Sequence, residues 1–199
     1  MLVHQAAFTI EVAESGYLIS FTEHDDYPAE MPYGWRCGPA GPASAVVLTT
    51  TDTGPVRMTI QVHDGPPAPE TGSEWEPAEE MSLLAQAPHL YLATLEPGDI
   101  LDAWPDGEPA LQIPSAADGH DWVRMRLYCH ADDPEPGIGD HGERHLIQLW
   151  RALQTPPVHP DITEADRQAR ADYAEHLAVP TEDYTTTYPY SYTPDSKQE

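Results

Sequence analysis

The sequence predicts an all-β protein: an antiparallel β-sandwich over residues 1–152, followed by a C-terminal α-helix and a disordered tail. Three observations predict it. Short runs of residues alternate apolar and polar with a period of two. Turn formers are dense, with 22 Pro and 13 Gly in 199 residues, which favours many short elements over a few long helices. Residues 1–151 also lack the strand–helix–strand alternation, with its 3.6-residue period, that a parallel α/β fold needs.

The elements follow in order. Residues 5–12 place Phe8, Ile10 and Val12 on one face, and residues 17–23 alternate Tyr17, Ile19 and Phe21 against Leu18, Ser20 and Thr22. Glu14-Ser15-Gly16 between them reads as a hairpin turn. Residues 44–51 are β-branched and free of breakers. Residues 55–63 alternate Val56, Met58, Ile60 and Val62 against Arg57, Thr59, Gln61 and His63, with Asp52-Thr53-Gly54 as a hairpin-like link. Further strands are expected at 79–84, 89–95, 110–113, 121–130 and 143–151; in the fourth of these Val123, Met125 and Leu127 share a face. The loops at 24–42 and 131–142 are long and rich in Pro and Gly, and residues 64–72 read as extended, polyproline-like chain.

Composition changes after Trp150. Residues 153–162 read as a linker. Residues 163–179 read as a helix with Thr163 as N-cap, a thin stripe of Ala165, Ala169, Tyr173 and Leu177, and Pro180 as its stop. Residues 180–199, rich in Tyr, Thr, Ser and Pro, read as a tail that is disordered when free.

Charge is the strongest functional signal. The chain carries 34 Asp and Glu against 9 Lys and Arg, net −25, and its one lysine is Lys197. The acid is not confined to the tail, since residues 1–151 hold 25 acids and 6 arginines. Such a body repels nucleic acid and anionic membrane and attracts cationic partners. Two explanations stand side by side: a compositional adaptation, for instance to salt, and a surface shaped for a basic protein. The start of the chain lacks a basic segment followed by an apolar one, and no run approaches the roughly 18 apolar residues of a membrane span, so a cytoplasmic protein is expected. Cys37 and Cys129 have no metal-type spacing and read as reduced thiols, Cys129 as a buried one.

Catalytic motifs are absent from the sequence: there is no Gly-x-Ser-x-Gly and no glycine loop followed by Lys. No catalytic residue and no cofactor is expected. A metal site is carried most plausibly by His130, Asp132, His141 and His145. His141 and His145 have helical ligand spacing, but Gly137, Gly139 and Gly142 argue against a helix. On a strand the two would stand about 13 Å apart, so a shared ion requires the loop to fold back. Asp132, Asp133 and Asp140 suit calcium. Among the tryptophans, Trp122 and Trp150 lie in strands and read as packed in the core or at its rim. Trp35, Trp75 and Trp104 lie near loops full of acids, and an aromatic inside an acidic rim suits an anchor for a basic partner. The partner-binding set is therefore Glu23, Asp25, Asp26 and Trp35 in one loop, with Glu74, Trp75 and Glu76 in another.

The order of parts resembles the competence protein J family, small bacterial β-sheet proteins of which one inhibits a partner nuclease. The likeness runs from the strand ending in Phe21 through Thr22-Glu23-His24-Asp25-Asp26 to Trp35. It continues with the strands at 44–51 and 55–63, the pair around 79–95, Glu96-Pro97-Gly98-Asp99 and the strand Trp122–Tyr128, so that it covers residues 1–151. The resemblance implies a non-catalytic inhibitor or immunity-type protein that blocks a basic enzyme such as a nuclease. The alternatives are a metal-binding or metal-dependent hydrolytic protein using His130, His141 and His145, and a component of a larger assembly docking through its C-terminal helix and tail.

Overall fold

The computed structural model describes residues 1–22, 35–72, 74–96, 99–114 and 121–159. Glu23, Asp25 and Asp26, the helix expected at 163–179 and the tail at 180–199 lie outside the described residues. Every regular element described is a strand: β1 (Leu2–Val12), β2 (Gly16–Ser20), β3 (Cys37–Pro39), β4 (Ser44–Leu48), β5 (Thr51–His63), β6 (Glu79–Leu84), β7 (Tyr91–Glu96), β8 (Asp99–Asp102), β9 (Trp122–His130), β10 (Gly137–Ile138) and β11 (Arg144–Arg151). They form two sheets. One has the order β1-β5-β11-β9-β6, with β10 also on β5; the other has the order β3-β4-β2-β7-β8.

Side chains from both sheets form one core. Ile10, Val12, Val56, Met58, Ile60, Val62, Met81, Leu83, Val123, Met125, Leu127, Ile147 and Leu149 of the first sheet meet Tyr17, Ile19, Cys37, Ala45, Val47 and Leu92 of the second. The alternating faces expected on 55–63 and 121–130 are the faces that point inward. Each such aliphatic side chain stabilises the fold by about 1.5–3 kcal/mol on burial. β2 is buried along its whole length, as befits a strand in which Tyr17, Leu18 and Ile19 are apolar on both parities. Cys37 and Cys129 are both free thiols in this core.

Four expectations are corrected. The first sheet is mixed, because β11 pairs β5 in parallel (Arg144 opposite Arg57 through Trp150 opposite His63) and β9 antiparallel. Alternation along a strand reports which face is buried and is silent on the direction of its neighbour, so this pairing was not readable. The turn at Glu14-Ser15 exists, both residues having φ near +55° (52° and 57°) as a tight primed turn requires. It does not join a hairpin: only Ala13 and Gly16 bridge, and the strands then part into different sheets. Asp52-Thr53-Gly54 is not a turn; β5 runs straight through it, and the chain reverses at Thr49-Thr50 instead. Residues 110–113 make a single bridge, Gln112 to His89, in place of a strand.

Gly54 explains how β5 accommodates its neighbours there. Its φ is 148°, and a Cβ at this position would stand 2.5 Å from the carbonyl oxygen of Gly139. The bare backbone lets the 137–139 segment lie against β5, with Gly139 N–H donating to the Thr53 carbonyl at 2.8 Å. Gly54→Ala is expected to lower stability by about 1–3 kcal/mol, through strain and the displaced loop. A urea unfolding curve measures it; an unchanged midpoint would refute this account of the close approach.

Candidate partner-binding surface

Strand directions gather one set of loops at one end of the two sheets. β5 and β11 start there, β9 ends there and β6 starts there; Gly16 of β2 faces Leu48 of β4, and Cys37 of β3 faces Val47, at the same end. The loops so assembled are 13–16, 48–52, 74–79 and 131–143, with Trp35 and Arg36 leading into β3.

A buried polar chain supports this end from below. Glu143, 1% exposed, accepts the Thr50 N–H at 2.9 Å and the Thr51 N–H at 2.7 Å. His145 Nε2 lies 3.0 Å from the same carboxylate, and His145 Nδ1 lies 2.8 Å from the Tyr17 hydroxyl. A carboxylate only accepts, so Nε2 carries the proton; in the neutral ring Nδ1 then accepts from Tyr17. Burial alone would raise the Glu143 pKa. The hydrogen bond from His145 and the two backbone amides outweigh burial and hold the carboxyl at about 2. The Tyr17 hydroxyl is pushed above its ordinary range, chiefly by burial.

A second buried carboxylate caps the edge of β3. Glu79 accepts the Arg36 N–H at 2.8 Å and the Cys37 N–H at 2.9 Å. His159 approaches the same carboxylate at 3.2 Å and stacks on Trp35 with ring centroids 3.4 Å apart. The segment expected as linker thus lies along β6 over residues 155–159: Val158 and Glu80 exchange two backbone bonds of 2.8 Å, and Ser82 and Arg124 bond the Thr155 carbonyl.

The outer layer is electrostatic. Arg36 holds Glu76 in a two-point pair at 2.9 and 3.1 Å, which joins the chain beside Trp35 to the loop carrying Trp75. Arg144 reaches Glu74 at 3.4 Å and lies 5.8 Å over the Trp75 ring, whose other neighbour is Tyr128. Arg57 binds Asp140 at 2.8 Å; the Gly142 N–H first, and then this arginine, hold the Asp140 pKa below the usual carboxylate range. Next to these pairs stand Asp132 and Asp133, 75% and 61% exposed, whose ion-pair partners among the described residues are His130 at 3.0 Å and His141 at 3.6 Å, Asp133 also accepting the Glu135 N–H at 3.1 Å. Glu135 is exposed beside them. Between Arg57, Arg144, His141 and the three aspartates is an open depression of about 570 Å³.

The structure therefore sets Glu74, Trp75 and Glu76 at the end where Trp35 leads into β3, linked to it through Arg36–Glu76, with both glutamates paired with arginines. His130 and Asp132 also meet, and His130 Nδ1 bonds the Glu74 carbonyl at 2.5 Å. His145 does not join them, because both its ring nitrogens are engaged in the core. Among the described residues no three His, Cys, Asp or Glu side chains converge to hold a metal. Trp104 packs edge-on against Phe8. Sequence reasoning passed over Glu79, Arg36, Arg57 and Arg144 and gave Glu143 no role of its own. The available signal was scarcity: with so few bases, each arginine marks a place where the fold neutralises acid.

No known family's sequence profile matches the chain, and no curated protein does. Two solved structures match it at low identity. One is the crystal structure of ComJ, inhibitor of the DNA degrading activity of NucA, from Bacillus subtilis: 11% identity, 76% of this chain and 99% of that chain covered, TM-score 0.48. The other is described as crocagin biosynthetic gene J: 16% identity, 74% and 98% covered, TM-score 0.41. The likeness to ComJ falls on the family whose order of parts the sequence resembles, and it is one of outline at low identity.

Two outcomes test the buried chain. Tyr17→Phe is expected to cost about 1–3 kcal/mol by leaving His145 Nδ1 without its donor; a denaturation midpoint equal to the parent's would count against the bond. Because the folded pKa of Glu143, about 2, lies below its ordinary 4.5, its contribution is complete above about pH 4.5 and is lost as pH falls through about 2. Glu143→Gln should therefore be less stable at neutral pH, with the gap to the parent closing over that window. A gap that stays constant with pH would remove the ionised carboxylate from the explanation.

Proposed function

We propose that this chain is a cytoplasmic, non-catalytic binding protein of inhibitor or immunity type, which blocks a basic enzyme such as a nuclease. In this proposal the two sheets are the layers of a β-sandwich, and the segment after residue 152 is an appendage to it. ComJ inhibits a DNA-degrading activity; for this chain the support is electrostatic. The observation that carries it is the charge balance of the loop end. Its three arginines are each matched by an acid, while Asp132, Asp133 and Glu135 stand exposed without an arginine or lysine partner among the described residues. A cationic cleft built to hold phosphates is complementary to such a rim. Trp75, half-buried between Tyr128 and Arg144, supplies the aromatic anchor beside the acids.

Association would be steered by the exposed acids and held by Trp75. The tagged full chain, used to capture proteins from its native host lysate at low and moderate salt, is expected to retain one basic protein whose DNA-degrading activity falls when the chain is added. Reversing Asp132 and Asp133 to Lys should slow association about tenfold or more at low salt, with the difference fading as salt rises. Trp75→Ala should mainly speed dissociation. Capture that holds no basic protein, or on-rates indifferent to the two reversals, would sink this reading.

A further inference from the structure

The two sheets end in four edge strands: β1 and β6 in the first, β3 and β8 in the second. An edge strand offers a row of unpaired backbone groups to any other strand, so folded proteins guard their edges. β6 is covered, because Val158 exchanges two backbone bonds with Glu80 and Thr155 bonds Ser82. β3 is three residues long, contains Pro39, and has its Cys37 N–H capped by Glu79. β8 is four residues long and begins and ends with Asp. Among the described residues, β1 has none of these devices. It is eleven residues long, LVHQAAFTIEV, with no Pro, no Lys, and its only acid at Glu11. Leu2 and Val3 are 45% and 39% exposed. The segment Glu108–Gln112 lies beside His4–Ala6 but leaves a gap of about 380 Å³, and among the described residues no loop backbone bonds to the strand's open side.

From this asymmetry we infer that β1 is a pairing edge whose occupant is β1 of a second copy of this chain, antiparallel across a two-fold axis. Symmetric pairing centred on the strand's midpoint, Ala7, sets Val3 opposite Glu11, Gln5 opposite Thr9 and Ala6 opposite Phe8. No acid then faces an acid, and the half-buried Phe8 and Ala6 gain apolar neighbours. Charge permits this occupant at this edge and favours this orientation. Two chains at net −25 repel wherever their acids approach, and residues 1–10 contain no Asp or Glu. Antiparallel pairing sends the two acidic loop ends in opposite directions. The paired strands are about 37 Å long, several times the ~8 Å screening length at physiological salt, so the ends scarcely feel each other. A symmetric pair uses up both β1 edges, and assembly stops at two. The loop surface described above stays open on each copy, so this inference stands independently of the proposed function.

Sedimentation of the full chain tests it. At about 0.15 M salt and above, the expected result is a mass of two chains that halves on dilution. Ala7→Glu and Ala7→Lys, each alone, set like charges opposite each other and should run as single chains; mixing the two in equal amounts should restore the pair. On the parent protein, amide exchange in β1 should slow as concentration rises while β5 is unaffected, a readout that needs no variant to fold. A single-chain mass at every concentration, an open-ended polymer, or a pair that survives both substitutions would overturn the inference.

Discussion

The loop end of this protein depends on one buried carboxylate. Glu143 sits where β11 begins, and it is the acceptor for the two amides at which β4 turns into β5. Through His145 it also reaches Tyr17 on the opposite sheet. An ionised carboxylate without partners in this position would cost several kcal/mol, so the arrangement is all or nothing: the amides, the imidazole and the hydroxyl must be in place together. Once they are, the ends of three strands and the opposing sheet are fixed relative to one another. The 131–143 loop then starts and finishes on rigid chain, with Gly142 (φ 67°) closing over Asp132 where a Cβ has no room.

The scarcity of base gives the six arginines of the described body a common character. Arg124 and Arg126 share Glu80 at 3.0 and 2.6 Å, Arg126 lies over Trp150, and Arg151 donates to the Pro114 carbonyl. With Arg36, Arg57 and Arg144 at the loop end, every arginine is spent on holding chain to chain. The cations therefore act as internal fastenings, and the acids left over define the outer field. An exposed pair such as Arg57–Asp140 contributes little to stability in salt, and its value lies in where it places the loop.

How much of this was legible follows from what a sequence encodes locally. The inward faces of residues 55–63 and 121–130 were readable because period two is a property of the strand alone. β3, β8 and β10 were not, being two to four residues long with no room for a period. The parallel partnership of β5 and β11 escaped because neighbours are chosen by the whole sheet. In the candidate site, Trp75 with its flanking glutamates was visible as an aromatic among acids. That Glu74 and Glu76 are already neutralised was not, since Arg144 and Arg36 lie 70 and 40 residues away in sequence. His145 was read as a ligand from its spacing to His141. Spacing says nothing about which face a strand turns inward, and the bonds of His145 to Glu143 and Tyr17 decide that in the other direction.

The position of β11 shapes how the protein is made. It is the central strand of its sheet, hydrogen-bonded on both sides, yet in chain order it is the last of the described strands. Until residue 151 emerges, β5 and β9 have no seat beside one another, and the apolar faces of a half-built sheet wait in the open. Such a chain cannot accumulate structure domain-fashion from its N-terminus; it condenses late, around contacts distant in sequence, which is a slow mode of folding. Over that interval the strong negative charge serves the nascent chain too, keeping unfinished copies apart.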